Sequence, residues 1–226
     1  MCLWIMAQST VAVDVIGVSK RYGYLEVLRS VSLRIERGEF VALFGHNGAG
    51  KTTLLKLIAT HIRPSTGTVE IFGEDAFRNS GIRRKIGLVT HASFLYDELT
   101  VRENLLFYAK QFGVEEDKFL DTVDFLGMSR WYNVRVKQLS HGLRKRADII
   151  RALIHDPNLI LLDEPFTGLD NETCDVLVNY FKEQRQRQRE KRKTLLISSH
   201  SPEWAKKVCD KAISLHRGKI VGEISF

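Results

Sequence analysis

Three cysteines in 226 residues, Cys2, Cys174 and Cys209, are too few and too scattered for a disulfide framework, and their odd number suits no metal site. That scarcity makes the cytoplasm the expected compartment. No apolar run approaches the ~20 residues that a membrane span needs. The apolar start, Met1 to Met6, is short and has no basic leader, so it reads as an untidy terminus with Met6 an alternative start. Internal repeats, low-complexity tracts and linkers are also missing. Such a chain is expected to fold as one large domain or two small ones, with a proper core. Acidic residues are the scarcer sign, 27 against 34 basic, for a net charge of +7. Most of that excess is local: segment 182–193 holds seven basic residues against Glu183 and Glu190. The segment lacks the interleaved aromatics of a single-strand binding surface, and no nucleic-acid partner is expected. It reads either as a helix leaving the core and ending in solvent, or as an attraction for anionic lipid heads.

What is present is more specific. Gly45-His46-Asn47-Gly48-Ala49-Gly50-Lys51-Thr52 fits the phosphate-binding pattern G-x-x-x-x-G-K-[ST]. A strand candidate, Phe40 to Phe44, precedes it and a helix-like run, Lys51 to Thr60, follows. Phosphate needs convergent N–H donors and a backbone that can come close, which three glycines before a helix start supply. Lys51 would neutralise the terminal phosphates and the Thr52 hydroxyl would hold Mg²⁺. The predicted nucleotide contacts therefore run from Gly45 through Thr52 to Thr53.

Strand-like runs appear at 11–18, 31–35, 40–44, 68–71, 159–162, 194–198, 212–215 and 220–224. Between 97 and 157 the pattern turns helical. Thr100 to Glu103 has the form of a capping box, and Leu120, Val123 and Leu126 mark a second helix. Ser140 stands as N-cap of a third that stops at Asp156-Pro157. Asp170 and Ser201-Pro202 look like further helix starts. The pattern describes an α/β nucleotide-binding core interrupted by an all-helical insert, with antiparallel strands at both ends.

Leu159-Ile160-Leu161-Leu162 leads straight into Asp163-Glu164. A carboxylate at the end of a buried strand is often only structural. With a phosphate loop upstream, it is delivered to the ligand crevice, since strands of such sheets aim their carboxyl ends there. Asp163 then offers the oxygen ligand Mg²⁺ prefers. Glu164 can orient and deprotonate an attacking water.

With these parts in order, the chain resembles the ATP-binding subunits of ABC transporters from about residue 11 to its end. Leu139-Ser140-His141-Gly142-Leu143 looks like the family's LSGGQ signature, Thr167-Gly168-Leu169-Asp170 like its D-loop, and Ile197-Ser198-Ser199-His200 like the strand ending in the switch histidine. Tyr22 falls where the family places an aromatic that stacks on adenine; the plainer alternative is packing against the β lobe. The resemblance implies a P-loop NTPase core with an antiparallel β lobe and a helical insert. It implies one nucleotide-binding domain over 1–226, with 1–90 and 157–226 forming the catalytic core and 91–156 the helical subdomain. It further implies ATP and Mg²⁺ as ligands, Glu164 and His200 as catalytic residues, and Ser140 and Gly142 facing a partner's phosphate in a nucleotide-dependent homodimer or heterodimer. Membrane permease subunits would be partners, on the cytoplasmic face of the inner membrane.

Two departures stand out. The signature carries His141 for its first glycine and Leu143 for glutamine. His91 occupies the position of the Q-loop glutamine, where imidazole is a poorer match for Mg²⁺; it either takes over that role or faces the permease groove. The stretch from Thr90 to Thr100, the LSHG signature and Phe166 to Asp170 are similar to the heme exporter ATPase of bacterial cytochrome c maturation. An ABC-2-type drug or polysaccharide exporter ATPase is the alternative, followed by a non-transport ABC ATPase or a nucleotide-sensing module without turnover.

Overall fold

The computed structural model describes residues 10–186, 193–200 and 202–226. The apolar N-terminal stretch, Cys2, Ser201 and residues 187–192 of the basic segment lie outside them. Two sheets organise the chain. The first is antiparallel, built from β1 (Val11–Tyr22), β2 (Leu25–Glu36), β4 (Thr66–Ile71) and β5 (Glu74–Asp75) in the order β2-β1-β4-β5. The second has six strands. Besides β3 (Phe40–Phe44), it contains β6 (Ile86–Val89), β7 (Leu159–Asp163), β8 (Thr194–Ser199), β9 (Lys211–His216) and β10 (Lys219–Ser225), ordered β10-β9-β3-β8-β7-β6. It is parallel from β9 to β6, and β10 closes one edge as an antiparallel hairpin with β9.

Alternation along the parallel strands explains how this sheet is covered on both faces. Val41, Leu43, Leu161 and Leu196 join a core with the antiparallel sheet and with Leu54, Leu55, Leu57 and Ile58 of α1 (Lys51–Ile58). Phe40, Ala42, Ile160, Leu162, Leu195 and Ile197 point the other way, into a core made with the remaining helices. Three of these, α2 (Val101–Phe112), α3 (Asp117–Phe125) and α4 (His141–Leu153), stand in the chain between β6 and β7. After β7 come α5 (Asn171–Gln186) and α6 (Pro202–Val208).

The helix starts form where their side chains dictate. Thr100 and Glu103 make the reciprocal capping box of α2, Ser140 Oγ accepts from Leu143 N at 3.3 Å, and Asp170 accepts from Thr173 N at 2.7 Å. Two strands, β5 and β6, were not expected. β6 is a four-residue edge strand ahead of His91, and its Gly87 is required by packing: a Cβ there would sit 2.4 Å from the Ala152 carbonyl of α4. β1 also runs past Val18 to Tyr22, through bulges that its polar end concealed. The basic segment needs a correction. Its last residue, Lys193, is not at a solvated helix end but buried, with Nζ 2.6 Å from Pro157 O and 2.9 Å from Asp156 O. Cys174 and Cys209 are buried, and burial pushes the Cys209 thiol up to about 12, so both act as packing groups.

The contact of α4 with β6 carries a pH dependence. His155 stacks on Phe112 with centroids 3.9 Å apart, and its Nε2 lies 3.0 Å from the Ile86 carbonyl. That tautomer leaves Nδ1 buried without a partner. Burial lowers the ring's pKa, the Ile86 carbonyl opposes it, and Arg151 and Lys193 add to the lowering against Asp156. The unfolded chain therefore binds a proton more readily than the fold does. The stability from the neutral ring is complete above about pH 6.5 and is lost as pH falls from there through the lowered native value. Thermal melts are expected to drop between about pH 7.5 and 5.5, and to drop less in His155→Phe.

Candidate functional site

The site gathers at the carboxyl ends of β3, β7 and β8. The phosphate loop turns from β3 into α1 through Gly48 at φ 80° and Gly50 at φ 108°, values a side chain would oppose. Gly45 is needed for a different reason: a Cβ there would lie 2.4 Å from the Leu215 carbonyl at the end of β9. Gly50 precedes Lys51 as the N-cap of α1 and offers no side-chain cap, so the first N–H groups of the helix remain for an anion. Lys51 is buried and folds back, Nζ donating to Gly45 O at 2.6 Å. His46 and Asn47 are exposed on the loop, and the His46 ring meets His216 edge-on.

Asp163 and Glu164 face two different sets of partners. Asp163 is 1% exposed; its Oδ2 accepts from Thr52 Oγ1 at 2.7 Å and its Oδ1 from Ser198 Oγ at 2.5 Å. Thr52 and Asp163 thus present two hard oxygens side by side. Among the described residues no group of three or more His, Cys, Asp or Glu could hold a metal alone. The pair fits Mg²⁺, which is ordinarily bound by one or two protein oxygens together with nucleotide phosphates and water. Glu164 sits at φ 50°, a left-handed conformation that turns its side chain out of the strand line. Its N–H is held by Ser198 Oγ at 3.0 Å. Its carboxylate lies 3.4 Å from Lys51 Nζ and 2.9 Å from His200 Nδ1, and accepts from Thr167 Oγ1 at 3.1 Å.

Of the residues singled out from sequence, Lys51, Thr52, Asp163, Glu164 and His200 are therefore in one connected group. Tyr22 is outside that group. It lies on the β1–β2 hairpin, half exposed, with Lys20 Nζ 5.1 Å from its ring centre. Ser140 and Gly142 open α4, where a Cβ on Gly142 would meet Thr173 Oγ1 at 3.4 Å, and among the described residues no hydrogen bond joins them to their own phosphate loop. Sequence reasoning gave Ser198 no role, yet it ties both carboxylate positions together. The available signal was a serine at the carboxyl end of a buried strand, in register with Asp163. Lys145 stands between Arg144 and Arg146 just after the signature, a basic run of the kind that usually forms a solvated helix face. That is corrected: it is 9% exposed, with Nζ 3.5 Å from Thr90 O and 3.4 Å from Asp163 O. Burial lowers its pKa, opposed by Asp148, Asp163 and Glu164.

Comparison with known proteins agrees with this geometry. The model of the ABC transporter family matches residues 28–167, which include the phosphate loop, the signature and Glu164. The chain belongs to the ABC transporter family. As an ABC ATP-binding subunit it is 38% identical over 203 residues to the ABC transporter ATP-binding protein NatA of Bacillus subtilis, covering 87% of this chain and 81% of that one. It is 36% identical over 220 residues to the Nod factor export ATP-binding protein I of Rhizobium johnstonii, covering 95% and 70%. A dimeric ATP-binding cassette in a post-hydrolysis state, bound to ADP and Pi, superposes with TM-score 0.85 at 28% identity, covering 94% of this chain and 98% of that one. The ABC subunit is an ATPase, and its fold is that of the P-loop ABC cassettes.

One consequence concerns Ser198. In Ser198→Ala a buried Asp163 oxygen loses its donor, and the expected cost is about 1–3 kcal/mol of stability. Denaturant titration should show an earlier midpoint with an unchanged slope, and kcat should fall because the Glu164 peptide loses one of its two anchors.

Proposed function

We propose that the chain hydrolyses ATP through Glu164 as general base, in a cassette that powers export by a membrane permease. The observation that carries this reading is Glu164 itself, turned out of β7 beside Asp163, with Lys51 on one side and His200 on the other. Residues Gly45 to Thr53 cradle the phosphates. Lys51 leaves Gly45 O for the terminal phosphates, and Thr52 and Asp163 would hold Mg²⁺. That cation, when bound, supplies charge neutralisation on the phosphate oxygens. Glu164 takes the proton of the attacking water, and His200 orients the carboxylate and the water. Tyr22 offers an exposed aromatic face for adenine. Ser140, exposed, and Gly142, half-buried, at a helix start away from their own loop, complete the site of a second cassette, so hydrolysis requires a head-to-tail dimer. One nucleotide-binding domain, its 91–156 helical insert included, accounts for the whole chain.

The permease is proposed to dock in a groove of about 230 Å³ between α1, β6, α2 and α4, lined by His61, Phe94, Tyr108, Phe112, Arg151 and His155. Among the described residues no helix is long and apolar enough to cross a membrane, so attachment would be through that groove, at the cytoplasmic face. Export is favoured over import by the relative named for Nod factor export. Heme as cargo has only local sequence similarity behind it and gains nothing from the relatives above; an ABC-2-type exporter is the better supported cargo class. The test is ATPase activity of the purified chain, followed by identification of membrane proteins that co-purify in mild detergent. Glu164-dependent hydrolysis with a co-purifying permease supports the reading. Hydrolysis with no membrane partner, or with a nucleic-acid partner, favours a non-transport ATPase.

A further inference from the structure

A cavity of about 530 Å³ shares Glu164 with the nucleotide site and has a use not yet assigned. None of residues 45–53 lines it; its other walls come from the segment after β6, the start of α4 and the loop after Glu164. His91, His141 and Lys145 face it, as do Asp148 and Thr167. His141 is held over the loop, since a Cβ on Gly168 would lie 3.5 Å from its ring.

The charges around this space are unevenly matched. Asp148 is paired with Arg151 at 2.8 Å, Glu164 with Lys51 and His200, and Arg144 with Asp97. Lys145 has no such partner: among the described residues no carboxylate lies within ion-pair distance of its ammonium. Its contacts are the Thr90 and Asp163 carbonyls, at the long limit of hydrogen bonding. An ammonium has three donors, and a buried cation without a counter-ion is costly. The lining carries Arg144 and Lys145 against Asp148 and Glu164, and Lys145, nine-tenths buried, is the one of these four charges left without an ion pair among the described residues.

We propose that this cavity is an oxyanion site for inorganic phosphate, with Lys145 supplying the charge and the rings of His91 and His141 flanking hydrogen bonds. Free phosphate and the terminal phosphate cut from a nucleotide offer the same chemistry. That the site receives the product of hydrolysis rests on the role given to Glu164 above, which forms the shared wall. The site itself rests on the cavity and Lys145 alone.

The test is inorganic phosphate titrated into the nucleotide-free full chain, followed by calorimetry. Lys51→Ala, which disables the phosphate loop, should keep a phosphate-binding site. Adding Lys145→Met should weaken it about tenfold or more, the loss expected for one charge-assisted hydrogen bond, and Lys145→Arg should largely restore it. Phosphate binding that disappears in Lys51→Ala alone, or that ignores Lys145→Met, overturns the site. Should Lys145→Met fail to fold, imidazole ¹⁵N shifts in Lys51→Ala decide: those of His91 and His141 must move on adding phosphate, and fixed shifts overturn the proposal. For the product assignment, single-turnover release is read with a fluorescent phosphate sensor. A lag between cleavage and release that shortens in Lys145→Met supports it, and an unchanged lag overturns it. A wild-type chain lacking Glu164-dependent hydrolysis would instead overturn the role of Glu164 and leave the binding result standing.

Discussion

Glu164→Gln is expected to bind ATP and stop hydrolysing it. The amide keeps the shape of the side chain but cannot accept a proton from water. The loss in kcat should be on the order of 10²–10⁴, the share that general base catalysis supplies. The contacts around Glu164 predict what else changes. The Lys51 contact at 3.4 Å loses its charge, which frees the ammonium for phosphate, so ATP affinity is expected to hold or rise. The contact of His200 Nδ1 at 2.9 Å survives in form, because an amide oxygen still accepts. With ATP bound and uncut, the variant should accumulate as a dimer. Size-exclusion chromatography with and without ATP reads that outcome, and a coupled ATPase assay reads the rate. Near-normal turnover would assign the base to another group.

Lys51→Ala should abolish ATP binding. Lys51 is the only side-chain cation between Gly45 and Thr53, and it is already buried in the loop against Gly45 O. Each hydrogen bond to a charged group contributes about 1.5–3 kcal/mol, so two lost phosphate contacts imply a loss of ~100-fold or more. The helix N-terminus and the glycine backbone remain, and they give the anion orientation without a full charge. Removing Lys51 also takes the ammonium away from Glu164, which adds repulsion toward phosphate. Equilibrium binding of a fluorescent ATP analogue checks the result, and retained micromolar affinity would refute the assignment of the loop. Lys51→Arg should not rescue, because the bulkier planar guanidinium has to enter a nearly closed loop.

Much of this chain is legible without coordinates because its chemistry is local. A phosphate loop is a property of consecutive backbone units, so Gly45 to Thr52 can be read directly, and a run of four apolar residues before Asp163 marks a strand buried on both faces. Helix starts are equally local: Thr100, Ser140 and Asp170 each act on an N–H three residues away. The tertiary structure alone decided what lies across from what. Ser198 reaches Asp163 and Glu164 only because β7 and β8 pair in parallel with Asp163 opposite Ser198, a register no local pattern encodes. β6 is four residues long at a sheet edge, too short for periodicity to speak, and it is fixed by α4 packing onto Gly87. Lys145 reads as one more cation in a basic run until α4 docks against the ends of β6 and β7 and buries it beside the Thr90 and Asp163 carbonyls. Lys193 is drawn inward in the same way, by the carbonyls at Asp156 and Pro157. The sequence determined which residues can bind phosphate and activate water, because bonding capacity belongs to the residue. Which charges are buried, and which remain without a partner, was decided by packing between segments far apart in the chain.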